Sequence, residues 1–185
     1  MNPRLLRPLL LCSLALAALG AQARVEVEAR DGLLAAKISE EIAPGDYEKL
    51  LQGLRAHPGS YSRKIVLLDS IGGSAPEAMR MGRLLRETGF EALVPSDGVC
   101  QGSCVYLLAA GKRKIVKGHV ALRRPPFAAG DSAQAQAAHG SQPFSPAAYL
   151  REMGVDIGLA EDIYRAAPGQ LRLLSRDDLA RYRLH

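Results

Sequence analysis

Two stretches of this chain carry residue types and spacings that suit chemistry at a loop. One is Ile71-Gly72-Gly73-Ser74, a glycine pair between an apolar run and a helical pattern. The other is Cys100-Gln101-Gly102-Ser103-Cys104, directly before the short apolar run Val105–Ala110. Paired glycines permit positive φ and let a ligand approach bare backbone. Two loop-to-helix junctions within one compact unit can bring several backbone N–H groups to one point. Such a point can bind an anion or hold the oxyanion of an acyl transfer. Taken alone, Gly72-Gly73 reads as a plain strand-to-helix turn, and it is the second junction that makes the pair a candidate site.

The elements that must position these loops follow from periodicity. Val25–Ala29 alternates apolar and charged residues, and Leu33–Ile38 follows Asp31-Gly32, which predicts a hairpin. Pro44-Gly45-Asp46 opens a helix with Asp46 as N-cap and Leu50, Leu51 and Leu54 on its buried face; His57-Pro58-Gly59 ends it. Lys64–Asp69 contains a continuous apolar run typical of a buried parallel strand. Ser74 and Glu77 form a capping box, with Pro76 in the first turn and a stripe of Ala78, Met81, Leu84 and Leu85 running to Glu87 before Gly89. Phe90–Val94 is the next strand, Val105–Ala110 a helix ended by Gly111, and Val120–Leu122 a short strand.

Pro125–Pro143 is rich in Pro, Ala, Gly, Gln and Ser and lacks periodicity, so it reads as a loop. Ser145-Pro146 caps a helix to about Met153, Ile157–Ala166 makes another, and Ser175 with Asp178 caps a last one over Arg176–Tyr182. This alternation predicts an α/β fold with a mostly parallel sheet, and no second domain is visible.

Residues 1–23 have the layout of a signal peptide. Arg4 and Arg7 precede the apolar run Leu9–Leu19, and Ala21-Gln22-Ala23 fits a cleavage site. The apolar run is too short to span a bilayer, and Leu11 before Cys12 spoils a lipobox. The expected product is an exported domain over residues 24–185, periplasmic if the source is Gram-negative, with no membrane span after cleavage. Loss of Arg4 and Arg7 takes the formal charge from +5 to +3, a mild bias that does not indicate nucleic acid. The basic cluster Lys112, Arg113, Lys114, Lys117 has few aromatic companions and is explained by its place at a helix C-terminus. Of three cysteines, cleavage leaves Cys100 and Cys104. In an oxidising compartment that pair is a disulfide candidate. On one helix the two would stand too far apart to bridge, whereas a turn with Cys100 at a strand end closes the gap. A structural bridge and a redox role both stay open. Zinc spacing and ATP-binding motifs are absent, so neither metal nor cofactor is expected.

The runs LDSIGGSAPEAMRMGRLL, CQGSCVYLLAAGKRK and VALRRPPF, in this order, resemble the Clp protease proteolytic subunit of the Clp/crotonase superfamily, closest to its exported Clp-like proteins. The tail YLREMGVDIGLAEDIYRAAPGQLRLLSRDDLARYRL also resembles that group. The resemblance implies a spiral of ββα units and an oxyanion hole of two backbone amides. One amide comes from Gly72 or Gly73, the other from the residue after the nucleophile. It also implies self-association, here as a homo-oligomer, and contacts between subunits through the Pro125–Pro143 loop.

The match departs at the residues that react. Counting back from Gly111 puts Gly102 at the nucleophilic serine's position, with Ser103 one residue late. Arg123 stands where the family has histidine, and arginine cannot act as a general base. Ile71 replaces the family's proline. Ser103 can serve as nucleophile if the turn shifts by one residue, with His119 or His139 as base; otherwise it is a helix N-cap and the histidines are surface residues. Cys104, beside a helix N-terminus, is a further candidate nucleophile. Arg123 and Arg124 beside a hole of N–H groups can bind a carboxylate or phosphate, or else are surface residues of an edge strand. Three functions follow: a non-catalytic binder of a peptide or small anion at Gly72, Gly73, Gly102, Cys104, Arg123 and Arg124; a serine peptidase-like hydrolase; and a thiol–disulfide protein. An acyl-CoA enzyme is disfavoured, because export removes the chain from the CoA pool.

Overall fold

The structure is a computed structural model that describes residues 24–124, 145–167 and 169–185. The expected signal peptide, the Pro125–Pro143 loop and His139 lie outside the described residues. Asp31 and Gly32 both adopt positive φ (49° and 77°), the geometry of a two-residue turn whose twist matches the flanking strands. They join β1 (Arg24–Arg30) to β2 (Leu33–Ile42) as the expected antiparallel hairpin. β2 buries Leu34, Ala36 and Ile38 on one face, and α1 (Asp46–Ala56) follows it.

β3 (Arg63–Gly73) lies parallel to β2 and is apolar enough to be covered on both sides. It also forks the sheet. Ile65–Leu67 pair in parallel with β4 (Glu91–Val94), whereas Ser70 pairs with Cys100 of β5 (Val99–Gln101). β4 goes on to β6 (Lys114–Val116) and β5 to β7 (His119–Arg123), both in parallel. Successive strand pairs therefore stack first strand on first and second on second. α2 (Ala75–Thr88) and α3 (Cys104–Ala110) make the crossovers. β8 (Leu171–Leu173) closes the path antiparallel to β7. The α/β class and mostly parallel sheet expected from the sequence are thus present.

Between β7 and β8 the chain forms α4 (Pro146–Glu152) and α5 (Gly158–Arg165), and after β8 it forms α6 (Arg176–Tyr182), each within two residues of its expected bounds. The hydroxyl of Tyr149 on α4 donates to the Tyr106 carbonyl at 2.8 Å, and the two rings meet edge to face at 5.7 Å. Gly82 makes this possible, since a Cβ there would stand 1.9 Å from that hydroxyl. Among the described residues no helix is long and apolar enough to cross a membrane.

The structure corrects several local expectations. β5, β6 and β8 are three-residue strands, too short for alternation to show, and Lys114 belongs to β6 rather than to a helix end. Asp46 is not the N-cap of α1; Gly45, at φ 97°, is. The buried Asp46 carboxylate turns back to accept from the Ala43 amide at 2.8 Å and binds Lys49 Nζ at 2.9 Å. The Ser74–Glu77 capping box is only half formed. Ser74 Oγ accepts from the Glu77 amide at 3.3 Å, but the Glu77 carboxylate crosses to α1 and accepts from the Gly45 and Tyr47 amides, each at 2.9 Å.

Candidate functional site

The two glycine junctions meet. β3 ends on Gly72 (φ 92°) and Gly73 (φ 135°), and Gly102 (φ 53°) turns the chain from β5 into α3. A Cβ on Gly72 would lie 2.7 Å from the Gln101 carbonyl oxygen and 3.0 Å from the Ser103 nitrogen; on Gly73 it would lie 2.2 Å from the Ile42 oxygen. Any side chain at either position would push the strands apart. Between the junctions lies a cavity of about 320 Å³, whose wall includes Gly72, Gly73, Gly102, Ser103, Arg123 and Arg124.

Ser103 is 7 % exposed, and its Oγ is buried without a hydrogen-bond partner among the described residues. It occupies the N-cap position of α3, yet its side chain makes no capping bond. Capping therefore does not explain the hydroxyl. Nor do backbone carbonyls among the described residues accept from the Ser103 or Cys104 amides. Neighbouring amides are taken: Gly102 N–H donates to the Ala121 oxygen at 3.0 Å, and Gly72 N–H to Ser70 Oγ at 3.2 Å. The Gly72 amide is therefore not free for an anion, and Gly73 is itself paired with Ile42 of β2.

No imidazole among the described residues reaches the cavity wall. His119 opens β7 opposite Val99, four residues before Arg123. At about 3.3 Å per strand residue it stands roughly 13 Å from the level of the cavity, so it cannot serve Ser103 as base. Arg123 holds the near position instead: a Cβ on Gly102 would lie 3.6 Å from the Arg123 Cβ. Arg123 is exposed and makes no side-chain ion pair among the described residues, whereas Arg124 beside it does have a partner.

Cys100 and Cys104 form a disulfide, with Cα atoms 5.2 Å apart. The closure works because Cys100 sits on β5 and Cys104 begins α3, so the intervening turn folds back. Both residues are wholly buried. Cys104 consequently has no thiolate to offer, and, unlike Gly72, Gly73, Gly102, Arg123 and Arg124, it does not line the cavity. Burial of both sulfurs also deprives a redox shuttle of the access that exchange requires.

The sequence did not single out Glu41, Tyr106 or Ile163, which also line the cavity. Glu41 lies beyond the expected end of its strand, and Ile163 arrives from a helix distant in sequence. Burial holds the Tyr106 phenol well above its ordinary pKa, with Tyr164 adding to the effect, so it stays protonated and cannot be a base near neutrality. The site thus combines amides, one orphan hydroxyl, guanidinium groups, the Glu41 carboxylate and an apolar floor, and the described residues supply it with no imidazole.

No family model and no curated protein matches the chain. Among solved structures it is similar to the crystal structure of a peptidase from Plasmodium falciparum. That likeness has a TM-score of 0.56 and 12 % identity, and covers 81 % of this chain and 92 % of that one. At such identity the likeness is one of fold.

Proposed function

We propose that this chain is an exported Clp-protease-like domain whose Ser/His pair has degraded, and that it binds a peptide or small anion at the cradle without turning it over. The observation that carries the reading is Gly102 facing Arg123: a Cβ at the first would lie 3.6 Å from the Cβ of the second, and neither residue can do nucleophile or base chemistry. What persists is the electrostatic half of an acyl-transfer site. The Ser103 amide and the Arg123 guanidinium suit a carboxylate or phosphate. The peptidase-like fold of the distant structural neighbour agrees with this origin. Self-association and a periplasmic-type location accompany the reading as part of the same proposal.

The competing reading is a serine hydrolase, favoured by the buried, partnerless Ser103 Oγ at the cavity wall. A fluorophosphonate probe separates the two. The binder reading predicts no labelling of the protein across pH 6–9. Labelling that disappears in Ser103→Ala would establish the hydrolase instead.

A further inference from the structure

We infer that the ligand of this cradle is the C-terminal carboxylate of a peptide ending in an aliphatic residue, with the preceding residues laid along β8. The inference rests on the non-catalytic reading above and names the ligand class for that site. Four observations support it.

The cavity is about 320 Å³, at the small end of ligand pockets, which run from about 300 to 1,000 Å³. It has room for a terminal residue. Its polar donors gather at one end. Ser103 Oγ is more than nine-tenths buried and partnerless, the Ser103 amide lies beside it, and Arg123 stands across from Gly102. A hydroxyl, an amide and a guanidinium suit one carboxylate. Glu41 is exposed on the β2 wall, so an incoming anion is directed away from it and toward Arg123.

The rest of the lining is apolar. Tyr106 and Ile163, each 2 % exposed, line the inside, and Ile71 is 45 % exposed. An inorganic anion would leave the Ile71 surface in water, whereas an aliphatic side chain would cover it.

Beyond Arg123 the surface continues in the same character. The β7–β8 register sets Leu171 opposite Arg123 and Leu173 opposite Ala121. Directly opposed residues share a face at about 5 Å, so Leu171 borders the guanidinium. Both leucines are exposed, at 53 % and 60 %. β8 is also the last strand on its path, so its outer backbone groups have no strand partner among the described residues. An extended chain leaving the cavity past Arg123 meets a free edge with apolar side chains, as strand addition requires.

The test is calorimetric titration of the purified chain with five probes: an acetylated tripeptide ending in leucine with a free carboxylate, its C-terminal amide, the same peptide ending in glycine, 4-methylpentanoate, and inorganic phosphate. The leucine carboxylate should bind at least ten-fold more tightly than each of the others. Arg123→Gln should lose that preference over the amide, and Leu171→Ser should weaken the peptide about three-fold while leaving 4-methylpentanoate unchanged. Equal binding of phosphate and peptide would overturn the inference and leave the anion-binding reading standing. Equal binding of 4-methylpentanoate would assign the site to small carboxylates instead of peptides. Equal binding of the amide or of the glycine peptide would remove, respectively, the carboxylate or the aliphatic residue from the recognition. No binding by any probe would sink both the inference and the reading beneath it.

Discussion

The N-termini of α1 and α3 present the same problem and answer it differently. Each begins after a glycine with positive φ, Gly45 in one and Gly102 in the other, and each leaves backbone amides without helical partners. At α1 the chain supplies its own anion: the Glu77 carboxylate takes the Gly45 and Tyr47 amides and is held in turn by Arg80 at 3.1 Å. At α3 no carboxylate among the described residues bonds the Ser103 or Cys104 amide, and Ser103 lines a cavity with its own hydroxyl and the Arg123 side chain. The filled terminus is a device for stability, and the open one is where the proposed recognition would take place.

The largest effect expected from breaking this contrast is at Glu77. Glu77→Ala strands two amides, while Arg80 keeps its pair with Glu48 at 2.8 Å, and should cost about 3 kcal/mol in urea unfolding while leaving ligand affinity within two-fold. A loss below about 1 kcal/mol would mean that solvent satisfies α1 and that the two termini do not differ. Next comes the disulfide. Cys100→Ser with Cys104→Ser opens a short loop (sequence separation 4) and should cost about 2 kcal/mol. Peptide affinity should fall as well, because the bridge pins the turn that carries Ser103.

Gly102→Ser should cost about 1 kcal/mol, the strain of a left-handed φ, since the space before it is open. Joined with Arg123→His it installs the serine and histidine of the family that the sequence resembles, and fluorophosphonate labelling above the parent protein would support the proposed loss of that pair. Ser103→Ala should change stability by less than about 0.5 kcal/mol, because its hydroxyl has no partner to lose, yet it should weaken the leucine peptide. A cost above 1 kcal/mol would reveal a structural role for that hydroxyl.

The smallest effect concerns a third, fully answered cluster near the C-terminus. Asp162 accepts from the Tyr182 hydroxyl, from Arg181 at 2.8 Å and from Arg172 at 3.2 Å, and these bonds, Tyr182 first, hold its carboxyl below the ordinary range. A lowered folded-state pKa contributes stability that is present above the unfolded value and is lost as pH falls toward the folded one. The Tm should therefore decline below about pH 4, and the decline should be shallower in Asp162→Asn.

The sequence made the long elements legible because their patterns repeat: the β1–β2 hairpin, the apolar β3, and α2 with its Gly89 stop. It also marked Gly72, Gly73, Gly102, Ser103 and Arg123 as neighbours through the resemblance they carry. The three-residue strands β5, β6 and β8 escaped it, since pairing with longer neighbours makes them strands. Asp46 and Glu77 were misassigned for a related reason. Local rules place a carboxylate on its own helix, but tertiary packing brought Glu77 within reach of another helix's amides. Glu41 and Ile163 enter the cavity only through folding at long range. No short spacing could have announced them.

β3 sits at the fork, paired at one end with β4 and at the other with β5 while β2 runs along its whole length. Peeling away β4 or β5 leaves the β2 ladder intact along the whole strand. Ile65–Leu67, flanked by strands on both edges, should therefore be the slowest-exchanging segment. The glycine turn that walls the cavity is the direct continuation of this segment. One wall of the site is thus anchored to the last part of the molecule to open, and the motions that admit a ligand fall to the turn on the other side.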